Sequence, residues 1–211
     1  MGLIVISPPT DDPITLEEAK AHLRVTHIYE DDYILSLIRA ATTTIEDHTD
    51  RRLITQTLEY TRDELERPLL LGSTTLTGTR PIILPVAPIQ SILTFSYLDA
   101  DSVTNYLYDS VGSPENTTGV VVDLRSTPAR ILPLSGGTWP TPLTQGNSVA
   151  VRLIAGYGDS GESVPSSLKH AIMLLAGHWF QHRSSVGDDK MMEIPHGIEW
   201  IINPYKLHVF A

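Results

Sequence analysis

The chain has 211 residues, no cysteine, and 25 acidic against 15 basic side chains, which gives a formal net charge of −10 at pH 7. This length suits one domain with a large insertion, and 41% hydrophobic with 19% charged residues predicts a folded protein. The lack of cysteine excludes disulfides, a thiol nucleophile and cysteine-ligated metal sites. No secretory signal and no membrane span are expected, because no apolar run is long enough and the N-terminus has no basic region.

The negative charge is concentrated at the N-terminus, where residues 1–50 hold ten carboxylates and three basic side chains. No lysine- or arginine-rich stripe is present to neutralise a phosphate backbone, so tight binding to the outside of DNA is not expected. Two interpretations stay open. The acidic residues are solvated helix faces, or they form a surface that nucleic acid passes without adhering.

Two helices are predicted near the N-terminus. Thr15 and Glu18 have the spacing of a capping box, which predicts a short helix ending near Arg24. Acidic residues at 30–32 then favour a second helix start, because they complement the helix dipole. The second helix should run to about His48. Its apolar stripe follows helical spacing: Ile34, Leu37, Ile38, Ala41 and Ile45.

The middle of the chain is rich in β-branched residues separated by proline and glycine turns, which predicts a β-rich module. The predicted strands are 53–61, 82–84, 89–97, 103–108, 119–124, 130–132 and 148–155.

The chain returns to helix near Val164, and apolar residues at helical spacing predict a helix ending near Arg183. Ser184–Met192 is polar and is predicted to be a mobile loop. A short last helix is predicted over Gly197–Ile202, before Pro204. The fold class is therefore α+β, a small helical bundle with an inserted β-rich module. One composite domain is expected, with a helical part at 1–52, the β-rich module at 53–158 and a C-terminal part at 159–211.

No catalytic constellation is found in the sequence. His178 and His182 are four residues apart on a predicted helix, so they could share a face, but the glutamate of an H-E-x-x-H site is missing and no third ligand is evident. No nucleophile elbow or phosphate-binding loop is present. We expect no enzyme activity, no cofactor and no metal, and a metal-dependent enzyme using these two histidines stays a remote alternative.

Several segments together resemble a known family. They are PITLEEAKAHLRV at residues 13–25, EDDYILSLIRAATTTIEDHTDRRLITQT from residue 30, RLIAGYGD from residue 152, and VPSSLKHAIMLLAGHWFQHR followed by INPYK near the C-terminus. In this order they resemble the head–tail connector, or adaptor, proteins of long-tailed phages, prophages and phage-like gene transfer particles. Such proteins are often labelled possible DNA-packaging proteins.

The resemblance implies a structural virion protein made in the cytoplasm of the bacterial host. Members of the family form a homo-oligomeric ring, usually twelvefold, under the portal protein at the head–tail junction. The ring extends the DNA channel and provides a platform for a stopper or tail-completion protein. Genome DNA would pass through it without specific binding. The alternative is a stopper or tail-completion protein placed lower in the same neck.

The resemblance also implies that the C-terminal segment docks on the portal. INPYK supports part of this assignment, and position in the chain supports the rest. The candidate docking residues are Trp200, Ile201, Pro204, Tyr205, Lys206, Leu207, Val209 and Phe210.

Overall fold

A computed structural model describes residues 2–65, 70–71, 74–75, 81–110, 119–134, 137–183 and 196–208. The chain divides into two compact units. The β unit comprises Met1–Pro8, Gln56–Ala155 and His208–Ala211, and the helical unit comprises Pro9–Thr55 and Gly156–Leu207. The single composite domain stays a prediction, because compactness does not show which parts fold independently. The predicted loop Ser184–Met192 lies outside the described residues.

The elements confirm a mixed α+β fold. The helices are α1 (Leu16–Leu23), α2 (Asp31–Thr49), α3 (Ser166–Gln181) and α4 (His196–Ile202), with 3-10 turns at Gly161–Ser163 and Asn203–Tyr205. The strands are β1 (Gly2–Ser7), β2 (Gln56–Arg62), β3 (Leu70–Leu71), β4 (Thr74–Thr75), β5 (Ile82–Ile83), β6 (Ile89–Leu98), β7 (Thr104–Asp109), β8 (Val120–Asp123), β9 (Arg130–Pro133) and β10 (Val149–Ala155). Among the described residues, no helix is both long and apolar enough to cross a bilayer.

The first helix of the helical unit begins as the sequence predicts. The Glu18 amide donates to the Thr15 hydroxyl at 3.1 Å, and the Thr15 amide donates to the Glu18 carboxylate at 2.9 Å, so the capping box is complete. Arg24 ends the helix in the left-handed conformation, with φ of 59°. The Glu18 carboxylate also accepts from the Lys169 ammonium on α3 at 2.8 Å. One carboxylate therefore caps α1 and ties it to α3.

The core of the helical unit is built from the apolar stripes of α2 and α3. Helix α3 contacts α1, α2 and α4. The predicted stripe positions of α2 are buried apart from Leu37, which is half-buried at the edge. The buried side chains on these two helices include Ile34, Ile38, Ala41, Ile45, Leu168, Ala171, Ile172 and Leu175. Burial of these side chains stabilises the unit, because removing apolar surface from water is the main favourable term in folding.

The β unit contains a five-stranded antiparallel sheet with the strand order β1-β2-β10-β6-β7. A second, three-stranded antiparallel sheet has the order β5-β9-β8, and β3 pairs with β4. Alternation along β10 buries Val151 and Leu153 and exposes Arg152 between them. Arg152 lies opposite Glu59 on β2 and forms an ion pair with it at 2.8 Å. The apolar core of this unit draws on both sheets.

Two features of the chain differ from the sequence-based prediction. Strand β1 was not predicted, and it pairs with β2 from Gly2 to Ser7. The strand predicted from Leu53 begins only at Gln56. Leu53 and Ile54 are buried in the core of the helical unit instead. There the Leu53 amide donates to the Glu46 carboxylate at 2.7 Å, which holds this stretch against the end of α2.

Candidate docking surface in the C-terminal segment

The C-terminal segment of the helical unit consists of α4, the 3-10 turn Asn203–Tyr205 and residues 206–207. Its inner side is apolar, because Ile198, Ile202 and Leu207 are all buried. Two of them, Ile198 and Ile202, belong to the core that α2 and α3 also line. The segment is therefore packed onto the unit rather than hanging from it.

Polar contacts fix the end of the segment to the end of α2. The Leu207 amide donates to the Thr49 carbonyl at 3.0 Å. The Arg51 Nε donates to the Tyr205 carbonyl at 2.5 Å, and its guanidinium lies 5.9 Å from the centre of the Tyr205 ring. A second guanidinium nitrogen of Arg51 donates to the Tyr157 hydroxyl at 3.1 Å. Burial raises the pKa of Tyr157 and the neighbouring guanidinium opposes that rise, so at neutral pH the hydroxyl is protonated and accepts this bond.

The outer side of the same segment carries an exposed aromatic side chain. Trp200 is 81% exposed, and Pro204 is exposed as well. A shallow cavity of about 300 Å³ lies beside the indole and is lined by Glu199, Trp200, Asn203 and Lys206. An exposed tryptophan on a helix is a typical anchor for a partner protein. Burying its ring in a pocket of the partner contributes much of the binding energy.

The eight predicted docking residues therefore fall into distinct positions. Trp200 and Pro204 are exposed, and Lys206 lines the cavity. Ile201 and Tyr205 are half-buried against the core. Leu207 is buried, so its side chain anchors the segment. Val209 and Phe210 lie outside the described residues, and the docking role of the set stays a prediction.

The two histidines considered as metal ligands are close together on α3. The ring centres of His178 and His182 are 4.7 Å apart, and the His182 Nδ1 lies 2.9 Å from the His178 carbonyl oxygen. Within the part of the chain that the structure describes, no group of three or more His, Cys, Asp or Glu side chains could hold a metal ion. A two-residue set leaves most of the coordination of a transition metal to water, which is not typical of a built site.

The helical unit has a second exposed apolar position, which was not predicted from the sequence. Ile28 and Tyr29 are 74% and 90% exposed in the connection between α1 and α2. The Tyr29 ring lies 5.8 Å from the ring of His27. The connection was predicted, but its apolar side chains were not singled out. An isoleucine–tyrosine pair in the connection between two predicted helices was the available signal.

One part of the chain matches a known protein family. Residues 13–93 match the family described as Phage gp6-like head-tail connector protein. This part of the chain is therefore similar to that family. The resemblance seen in the sequence is confirmed, and so is the expectation that the chain is not an enzyme, since the matched family is a structural one. The match covers α1, α2 and the first strands after them.

Solved structures are similar to this chain over its whole length. A chain in "Neck of empty GTA particle computed with C6 symmetry" is 22% identical with a TM-score of 0.74, and the match covers 100% of this chain and 98% of the other. "Virion of native gene transfer agent (GTA) particle" gives the same values. "Neck of native GTA particle computed with C12 symmetry" gives a TM-score of 0.69 at the same identity and coverage. These matches show that this chain has the same fold. Comparison with curated proteins gave no significant match.

Proposed function

We propose that the connector forms a twelvefold ring in the neck of a phage-like particle, directly under the portal protein. The observation that carries this proposal is the gp6-like connector match at residues 13–93. Chains of the same fold in gene transfer agent necks, one of them computed with C12 symmetry, support it. A cyclic ring needs heterologous contacts, in which two different faces of one subunit meet its neighbours. The protein would be made in the host cytoplasm and become part of the virion.

The C-terminal segment is the part that we assign to the portal contact. Trp200 supplies the exposed aromatic anchor, and the exposed Pro204 and the half-buried Lys206 belong to the same segment. Ile201 and Tyr205 pack against the core of the helical unit. The Leu207 amide fixes the segment to α2 by donating to the Thr49 carbonyl. The proposed contact continues into Val209 and Phe210. A rigid, preorganised anchor binds more tightly than a loose tail, because less conformational freedom is lost on docking.

The charge of the protein suits a channel component. With a net charge of −10, the ring would repel the phosphate backbone, so genome DNA would move through it without specific binding. On the tail side the ring would offer a platform to a stopper or tail-completion protein. If this chain instead occupies the stopper or tail-completion position, crosslinks in the particle should reach tail subunits and an intervening ring rather than the portal.

Binding to purified portal rings of the same particle tests the docking assignment. We expect Trp200→Ala to weaken portal binding by about 30-fold, since truncating a central aromatic anchor commonly has an effect of this size. Tyr106→Ala is the matched control, because Tyr106 is an exposed aromatic residue, at 49%, on β7 of the other unit. Wild-type binding by the Trp200 variant would contradict the docking assignment.

A further inference from the structure

Arg51 connects three parts of the helical unit that are far apart in sequence. It lies just after α2 and is half-buried. Its Nε donates to the Tyr205 carbonyl, and its Nη1 donates to the Tyr157 hydroxyl in the segment that follows β10. The planar guanidinium has several donors in a fixed arrangement, so one side chain satisfies both acceptors without bending either segment.

The Tyr205 carbonyl needs a donor from outside its own segment. The 3-10 turn Asn203–Tyr205 closes with the Lys206 amide donating to the Asn203 carbonyl at 3.2 Å, which leaves the carbonyl of Tyr205 beyond the turn. A carbonyl at the end of a helical turn has no partner within that turn. The Arg51 Nε supplies the missing donor. This bond can form only when the turn lies close to the C-terminus of α2.

The second contact at this point acts in the same direction. The Leu207 amide donates to the Thr49 carbonyl, while the Thr49 hydroxyl donates to the Ile45 carbonyl at 2.7 Å inside α2. Residues 205 and 207 are thus both bonded to residues 49–51 at the C-terminus of α2. Trp200 lies within one and a half helical turns before this anchor point, so the anchor sets the direction in which the indole and the Lys206 side chain emerge.

We propose that Arg51 is a positioning residue for docking: through its bond to the Tyr205 carbonyl, it holds the C-terminal segment in the conformation that presents Trp200 to the partner. This inference rests on the proposed docking function. Arg51 itself is not part of the contacting surface. Its role is to keep the segment ordered before the partner arrives, which lowers the entropy lost on binding.

The test compares three variants of the full chain in two assays, amide hydrogen exchange of residues 196–207 and binding to purified portal rings. Arg51→Met removes both hydrogen bonds while keeping an unbranched side chain. Tyr157→Phe removes only the bond to the hydroxyl and leaves the Tyr205 carbonyl bond in place. Arg152→Met is the matched control, because it removes a half-exposed arginine that pairs with Glu59 in the β unit.

We expect Arg51→Met to speed exchange across residues 196–207 and to weaken binding by about tenfold, the size expected for one charge-assisted hydrogen bond. Tyr157→Phe and Arg152→Met should bind within about twofold of wild type, since neither removes the Tyr205 bond. If Arg51→Met does not fold, Arg51→Lys gives the same test. Lysine keeps the positive charge and can donate, but it lacks the planar guanidinium that reaches both acceptors, so the binding of Arg51→Lys should lie between that of the wild type and that of a variant without the Tyr205 bond.

The outcomes separate this inference from the proposed function. Wild-type binding by the Arg51 variants, together with weak binding by Trp200→Ala, overturns the positioning role and leaves the docking surface intact. Equal weakening by Arg51→Met and Tyr157→Phe also overturns it, because general stability then accounts for the effect. Wild-type binding by both Trp200→Ala and Arg51→Met overturns the docking assignment itself.

Discussion

Gly156, at the junction after β10, cannot carry a side chain for two separate reasons. Its φ of +136° belongs to a region that essentially only glycine adopts. A Cβ atom placed there would lie 2.5 Å from the Thr55 amide nitrogen and 2.6 Å from the Ile54 carbonyl carbon. Both are backbone atoms held by the parallel bridge between Ile54 and Gly158, so they cannot move aside easily.

We expect Gly156→Ala to lower the free energy of unfolding of the helical unit by about 2 to 6 kcal/mol. Backbone strain supplies about 1 to 3 kcal/mol of this and steric overlap supplies a similar amount. The assay is urea denaturation followed by circular dichroism at a helix wavelength. A loss below 1 kcal/mol would refute the reasoning, since neither effect could then be present in full.

Two other glycines separate the strain from the overlap. Gly119 has a φ of +104° but an added Cβ would meet nothing within 4 Å, so Gly119→Ala should show strain alone. At Gly161 an added Cβ would lie 2.4 Å from the Pro13 carbonyl oxygen, and no positive φ adds to it, so Gly161→Ala should show overlap alone. Each of these losses should be smaller than that of Gly156→Ala. Equal losses at Gly119 and Gly156 would show that the close approach to Ile54 and Thr55 is not rigid.

Two further predictions concern a helix cap and a titrating turn. Thr15→Ala should lower the free energy of unfolding by about 1 kcal/mol in urea denaturation, because the Glu18 amide loses its acceptor. Thr15→Ser is the control and should stay near wild type. An Ala variant as stable as wild type would contradict a stabilising role of the Thr15 cap. Asp123 accepts from the Ser126 hydroxyl and the Arg130 guanidinium, which lower its pKa to about 2. Its stabilising contribution should therefore be complete above pH 3.8 and lost as pH falls through about 2. Carboxyl NMR titration measures this directly, and a midpoint near 3.8 would contradict it.

The helices could be predicted because their signals are local. The capping box at Thr15 and Glu18 and the apolar stripe of α2 depend only on residues three or four apart, and both are found where the sequence places them. The hairpin of β6 and β7 is local for the same reason, with Asp99 accepting from the Val103 amide in its turn. These local interactions are present in the folded structure because no distant partner replaces them.

The parts that the sequence did not predict depend on distant partners. Strand β1 pairs with residues fifty or more positions later, and the β-branched run Ile4–Ile6 was a local signal that did not by itself show where a partner strand lies. The neighbours of Leu53 in the sequence predict a strand there. In the structure its amide donates to the Glu46 carboxylate and its side chain is buried in the core of the helical unit. The burial of the Leu207 side chain and the bond from its amide to Thr49 also depend on a distant partner, and the docking role of this residue stays a prediction. The sequence places Arg51 directly after a helix. Its bonds to Tyr205 and Tyr157 could not be predicted, because both residues are more than one hundred positions away.

Cryo-electron microscopy of the particle that carries this chain, focused on the portal vertex, tests the central claim most directly. The account predicts a ring of twelve copies in direct contact with the portal, with Trp200 and the turn Asn203–Tyr205 facing it. A ring of this fold separated from the portal by another protein would contradict the adaptor position and favour the stopper or tail-completion role. Absence of the chain from the particle would contradict the neck function altogether.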